Sequence, residues 1–380
     1  MPASAAATPN APAALDRIRP DVRAMRAYQV QPAAGMLKMD AMENPFRLPA
    51  QLQAALGQRL GALALNRYPN EEHFAALKAA LARHAGLPEG CGIVLGNGSD
   101  ELVTLIALAC TRLGTAERAC LLAPTPGFVM YATSAQLQGL DFVGVPLTAD
   151  FDLDVPAMLA AIAQHRPALT FIAYPNNPTA TLWDEGAVQR IVDAAGAQGG
   201  IVVFDEAYQP FASRSWIDRL RAEPARNAHV LLMRTLSKFG LAGVRLGYLI
   251  GPAALVGEID KLRPPYNVSV LNCEAALFAL EHAPVFAAQA AELRAQRELL
   301  VHALRRMPGV EKCWDSQANM VLVRVADSAR VHAGMKTRGV LVKNVSTMHP
   351  LLTNCLRLTV GQAEENAQML AALGDCLVPG

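Results

Sequence analysis

The sequence predicts an α/β protein: a large domain built on a mostly parallel sheet with helices on both faces, and a second, smaller α+β domain. Three observations predict it. Short runs that are apolar on both faces alternate with helical patterns through the middle of the chain. At 380 residues, 52% hydrophobic and 18% charged, the chain can bury two cores. At Pro264-Pro265 the alternation gives way to a helix-rich stretch.

The elements follow in order. Met1 to Ala14 is rich in Ala and Pro, with no basic start and no continuous apolar core, and reads as a disordered extension. Residues 15–45 are expected to pack with the smaller domain. Residues 46–263 make the large domain, and its buried strands are expected at Ile93-Val94-Leu95, Ala119-Cys120-Leu121-Leu122, Leu169 to Ala173, Ile201 to Phe204, Val230 to Met233 and Leu246 to Ile250. Between them, Leu102 to Ala109 and Val188 to Ala195 space apolar residues at three and four, as amphipathic helices do. Residues 264–380 form the small domain, helical from Val270 to about Met307, then strand-like at Met320 to Val323 and Cys355 to Thr359.

Composition excludes several functions. A formal net charge of +1, with both signs spread along the chain, gives no broad field for nucleic acid or an anionic membrane. No segment approaches the ~20 apolar residues that span a bilayer. The seven cysteines form no CxxC and no Cys/His ligand spacing, so no metal is expected, and their apolar settings suit reduced thiols in a cytoplasmic protein. Any anion site must be local.

In open parallel sheets the ligand crevice lies at the carboxyl ends of the strands, so the residues that directly follow each apolar run carry the chemistry. Gly96-Asn97-Gly98-Ser99-Asp100-Glu101 leads into a helix: Gly98 permits close backbone approach, and the free amides behind Ser99 and Asp100 suit a phosphate, although a plain Ser cap also explains the string. Pro124 to Tyr131 places Phe128 where it can stack on a flat heteroaromatic ring, or simply fill a core. Tyr174-Pro175-Asn176-Asn177-Pro178-Thr179 holds two amides between prolines. Asp205-Glu206-Ala207-Tyr208 puts an acid at the end of a buried strand, where it calls for a cation such as a protonated pyridine nitrogen, or serves as a helix cap. Thr235-Leu236-Ser237-Lys238 ends the next run with a lysine among apolar and glycine residues, a candidate imine former because desolvation favours the neutral amine.

In this order, GNGSDE, PNNPT, DEAY, TLSK followed by GVR, and CLRLTVG, the chain from about Asp21 onward resembles the fold type I, class I and II pyridoxal-phosphate-dependent aminotransferases, closest to those that act on histidinol phosphate. The resemblance implies pyridoxal 5'-phosphate as cofactor. Lys238 would hold it as a Schiff base and move the substrate proton, and Asp205 would pair with the ring nitrogen. Asn177 and Tyr208 would bond the phenolic oxygen, Phe128 would stack on the ring, and Ser99, the Asp100 backbone, Ser237 and Arg245 would hold the phosphate. Tyr68, in Arg67-Tyr68-Pro69, matches a tyrosine that reaches the cofactor phosphate of a neighbouring subunit, which implies a homodimer with shared active sites. Arg357 matches the arginine that binds the substrate anion, with Tyr28, Asn44 and Lys343 as further substrate residues; Lys343 stands where many relatives have arginine and loses the planar fork.

The implied reaction takes histidinol phosphate and 2-oxoglutarate to imidazole-acetol phosphate and glutamate. The alternatives are an aromatic amino-acid aminotransferase, a decarboxylase of a phosphorylated amino acid, and the sensor domain of a transcription regulator. The last requires an N-terminal DNA-binding module, and only about twenty residues precede the resemblance.

Overall fold

The computed structural model describes residues 13–27, 31–114 and 116–377. Tyr28 and residues 1–12 of the N-terminal extension lie outside them. Residues 1–34 and 35–380 form two compact units. In the first, a 3-10 turn at Ala13–Arg17 precedes the one-turn helix Pro20–Ala24.

Among the described residues of 35–380, the strands in chain order are β1 (Leu37–Met39), β2 (Cys91–Gly96), β3 (Cys120–Thr125), β4 (Asp141–Pro146), β5 (Leu169–Ala173), β6 (Ile201–Asp205), β7 (Val230–Thr235), β8 (Gly247–Pro252), β9 (Val310–Cys313), β10 (Met320–Val325), β11 (Val340–Asn344) and β12 (Cys355–Thr359). They form a seven-stranded sheet in the order β2-β8-β7-β6-β5-β3-β4 and a five-stranded sheet in the order β1-β11-β12-β10-β9.

The large sheet is parallel from β4 to β7, and β8 runs antiparallel to both its neighbours. The chain passes from β7 to β8 through the Lys238 loop without a crossover helix, and only an antiparallel strand can follow so short a link. Alternation explains the double-sided burial. On β7, Val230 and Leu232 enter one core and Leu231 and Met233 the other. Helices Ser99–Ala109, Met130–Gln138 and Ala253–Asp260 cover one face; Glu71–Ala85, Val155–His165, Glu185–Ala197 and Val270–Glu281 cover the other. Each buried Leu, Ile, Val or Phe contributes about 1.5–3 kcal/mol.

The small sheet has its own core, including Met320, Val321, Val323, Leu356 and Leu358. Two of its features position the site. β1 pairs in parallel with β11, Leu37 opposite Val340 and Met39 opposite Val342, and so delivers Ala41, Met42 and Glu43 to the cleft. β11 and β12 are antiparallel with Lys343 directly opposite Arg357.

Candidate active site

At the carboxyl ends of β2, β3, β5, β6 and β7 lies a cleft of about 350 Å³, whose lining includes Ser99, Asp100, Phe128, Asn177, Asp205, Tyr208, Ser237, Lys238 and Arg245. Residues that are far apart in the chain meet because they end or follow strands of one sheet, apart from Arg245, which stands just before β8.

One end is built for an anion. Gly98 caps helix Ser99–Ala109 at φ 81°, a backbone conformation that favours glycine, and it lies so close to Arg245 that a Cβ there would stand 2.5 Å from a guanidinium nitrogen. Gly247 of β8 is equally constrained, since its Cβ would meet the Ser99 nitrogen at 2.9 Å. Arg245 reaches Ser237 Oγ at 3.4 Å and Asp100 Oδ2 at 3.5 Å, and Thr235 Oγ1 donates to Ser237 Oγ at 2.9 Å. Helix amides, a serine hydroxyl and a guanidinium thus converge on one corner.

Lys238 sits in a π-helical turn, Ser237–Leu241. Its Nζ donates to the Ala41 carbonyl at 2.9 Å and stands 6.0 Å from the centre of the Tyr208 ring. Burial, with Arg357 adding to it, lowers its pKa to about 8. Asp205 is buried at the end of β6; its Oδ2 accepts from the Tyr131 hydroxyl at 2.7 Å and its Oδ1 from the Ala207 amide at 3.1 Å. Burial raises its pKa to about 6 against those two hydrogen bonds. The Tyr208 phenol is pushed up, by burial first.

Asn177 Oδ1 accepts from Arg357 at 2.7 Å, and the same guanidinium donates to the Asp40 carbonyl at 2.8 Å. Arg357, 8% exposed, therefore ties the small sheet to the cleft wall.

Other expected residues fall outside the lining. Asn44 spends its amide on Gln289 (2.9 Å) and on the Phe46 nitrogen (2.9 Å), which braces the turn before Phe46. Lys343 reaches the site only as the cross-strand neighbour of Arg357. Tyr68 is 75% exposed and stacks on Tyr266 with ring centres 4.4 Å apart.

Sequence reasoning missed five participants. Tyr131 stood three residues after Phe128, but only the fold shows it facing Asp205. Ala41 and Glu43 arrive through β1, a strand too short to give an alternating pattern. Beneath the site, Glu206 and Arg234 form a buried ion pair at 2.8 Å, with Ser215 and the Trp216 amide also bound to Glu206. Among the described residues no cluster of His, Cys, Asp and Glu could hold a metal ion, and no single helix is long and apolar enough to cross a membrane. The arrangement offers an amine that is partly neutral near neutral pH, a buried acid and an anion corner within one cleft.

Comparison with known proteins agrees with this geometry. The family described as "Aminotransferase class I and II" matches residues 34–373. Histidinol-phosphate aminotransferase of Paracidovorax citrulli is 79% identical over 95% of this chain and 97% of its own length. Among solved structures, the histidinol-phosphate aminotransferase of Clostridium acetobutylicum superposes with a TM-score of 0.80 at 19% identity, over 90% of this chain and 99% of that one. The enzyme of the same name from Sinorhizobium meliloti, in complex with pyridoxal-5'-phosphate, gives 0.77 at 24% identity, over 95% and 97%. At these identities the two structures speak for the fold alone, and the family rests on the sequence matches. The chain belongs to the class I and II aminotransferase family, in its histidinol-phosphate aminotransferase group.

Proposed function

We propose that the chain is a pyridoxal-5'-phosphate-dependent aminotransferase that converts histidinol phosphate and 2-oxoglutarate to imidazole-acetol phosphate and glutamate, a step of histidine biosynthesis. The donor set fits that cofactor. The cradle over Gly98, with Ser99, the Asp100 backbone, Ser237 and Arg245, suits its phosphate; Asp205 suits its ring nitrogen; Phe128 suits its ring face; Asn177 and Tyr208 suit its phenolic oxygen. When bound, the cofactor supplies a ring that accepts electrons from the substrate α-carbon.

The chain's own residues do the rest. Lys238 Nζ, lowered to about 8, has a neutral fraction that can hold the cofactor covalently and later take the proton from the substrate α-carbon. Asp205, anionic above about 6, holds a proton on the ring nitrogen by charge. Asn177, its oxygen engaged by Arg357, has its NH2 to donate into the cleft. Arg357 and Lys343, opposite one another on β12 and β11, would take the phosphate of one substrate and a carboxylate of the other.

The observation that carries the cofactor reading is the meeting of a depressed lysine and a buried aspartate in one cleft with an anion corner. The substrate rests on the cross-strand cations and on the name of the 79% identical relative. We further propose a homodimer in which Tyr68, exposed here, reaches the cofactor phosphate of the opposite subunit. All seven cysteines are free, which suits a cytoplasmic setting.

The test is a substrate panel. Protein loaded with pyridoxal 5'-phosphate is mixed with 2-oxoglutarate and either histidinol phosphate, phenylalanine or threonine phosphate, and glutamate is measured. Histidinol phosphate should give the highest kcat/KM. Preference for phenylalanine, or carbon dioxide release from threonine phosphate without glutamate, would refute the substrate assignment.

A further inference from the structure

Asp205 occupies a setting that resists its charge. It is buried, and the charges of Asp100 and Glu206 disfavour a further negative charge on it, while the Tyr208 phenol stays neutral beside it. Among the described residues no cation pairs with it; what holds its two oxygens is the Ala207 amide from its own strand end and the Tyr131 hydroxyl from helix Met130–Gln138.

Tyr131 is fixed for that contact. Its ring, 2% exposed, stacks on Phe171 with centres 4.6 Å apart and meets the edge of Phe128 at 5.6 Å. Burial and the neighbouring carboxylate both push its phenol up, so the proton stays on the tyrosine and the bond has one polarity, phenol to carboxylate. A donor to the ionised form favours ionisation. Tyr131 also follows Phe128 closely, so one loop-to-helix junction supplies both the cleft's aromatic wall and the group that holds its acid.

We propose that Tyr131 is a positioning residue, whose hydroxyl aims the Asp205 carboxylate into the cleft and keeps it ionised near neutral pH. The catalytic consequence rests on the cofactor reading above; the bond itself does not. A residue that merely packs would lose nothing when phenylalanine replaces tyrosine, because the ring contacts remain.

The experiment follows the Asp205 carboxyl in cofactor-free protein by difference infrared titration, with Asp205→Asn identifying its signal. The wild-type midpoint should lie at about 6. In Tyr131→Phe it should rise by about one to two pH units, the worth of one hydrogen bond to a charged group. In the loaded enzyme the acid limb of kcat/KM should move up in the same direction. A rise in the cofactor-free protein without cofactor binding would sink the cofactor reading and leave the positioning bond standing. An unchanged midpoint in folded Tyr131→Phe overturns the proposal. If that variant does not fold, wild-type protein carrying 13Cζ-tyrosine serves: one resonance that persists in Tyr208→Phe should follow the Asp205 midpoint and stop titrating in Asp205→Asn. Absence of such a resonance overturns the proposal equally.

Discussion

Burial moves Lys238 and Asp205 toward one another on the pH scale, the amine down to about 8 and the carboxyl up to about 6. Both shifts are testable. Capture of pyridoxal 5'-phosphate by cofactor-free protein should accelerate as pH rises through about 8, where Nζ loses its proton, and level off above; stopped-flow absorbance measures it. A rate that keeps rising past pH 10 would mean an ordinary exposed lysine. For Asp205 the sign runs the other way. The folded chain binds this proton more tightly than the unfolded one, whose value is 3.8, so folding loses stability as pH rises from there to about 6. Cofactor-free Asp205→Asn should therefore be more stable than wild type at pH 8, by up to about 3 kcal/mol, and no more stable at pH 4, read from denaturant midpoints. The same variant, loaded with cofactor, should lose turnover by several orders of magnitude. The places of single residues in the cleft were legible where they depend on neighbours in the chain: Asp205 ends one apolar run and Lys238 follows closely on another. The Tyr131 bond was not legible, because it joins residues 74 positions apart.

Lys343 and Arg357 belong to the scale of elements, for the pairing of two strands sets their placement. The β11–β12 register sets them opposite each other, so both side chains leave the same face of the small sheet. A phosphate, with up to two charges and three acceptor oxygens, can engage both, whereas a carboxylate is served mainly by the arginine. Arg357→Ala should harm both half-reactions, about ten- to hundredfold in kcat/KM. Lys343→Ala should harm histidinol phosphate more than glutamate; equal losses, or none, in steady-state kinetics would remove Lys343 from phosphate recognition. The central strands were legible because their runs are apolar on both faces. β4 was not, being an edge strand with Asp141 and Phe142 exposed, and β1 is only three residues long.

At the scale of the whole molecule, Tyr68 and Tyr266 are the two most exposed aromatic side chains among the described residues, at 75% and 50%. A second copy covering them would complete the phosphate corner. Mixing Tyr68→Phe with Lys238→Ala subunits should raise activity above either parent, because the heterodimer holds one site with both Lys238 and Tyr68. No rise on mixing, with subunit exchange confirmed by mass spectrometry, would remove Tyr68 from a shared site. The expectation of such an assembly comes from resemblance, since a lone exposed tyrosine carries no pattern of its own.

The outcomes in the loaded enzyme depend on Lys238 being the residue that holds the cofactor. Borohydride reduction of the loaded protein followed by peptide mass mapping tests that most directly. The visible absorption band should bleach, and the pyridoxyl group should be found on the peptide containing Lys238. A label on any other lysine, or a protein that binds no cofactor, would contradict the account.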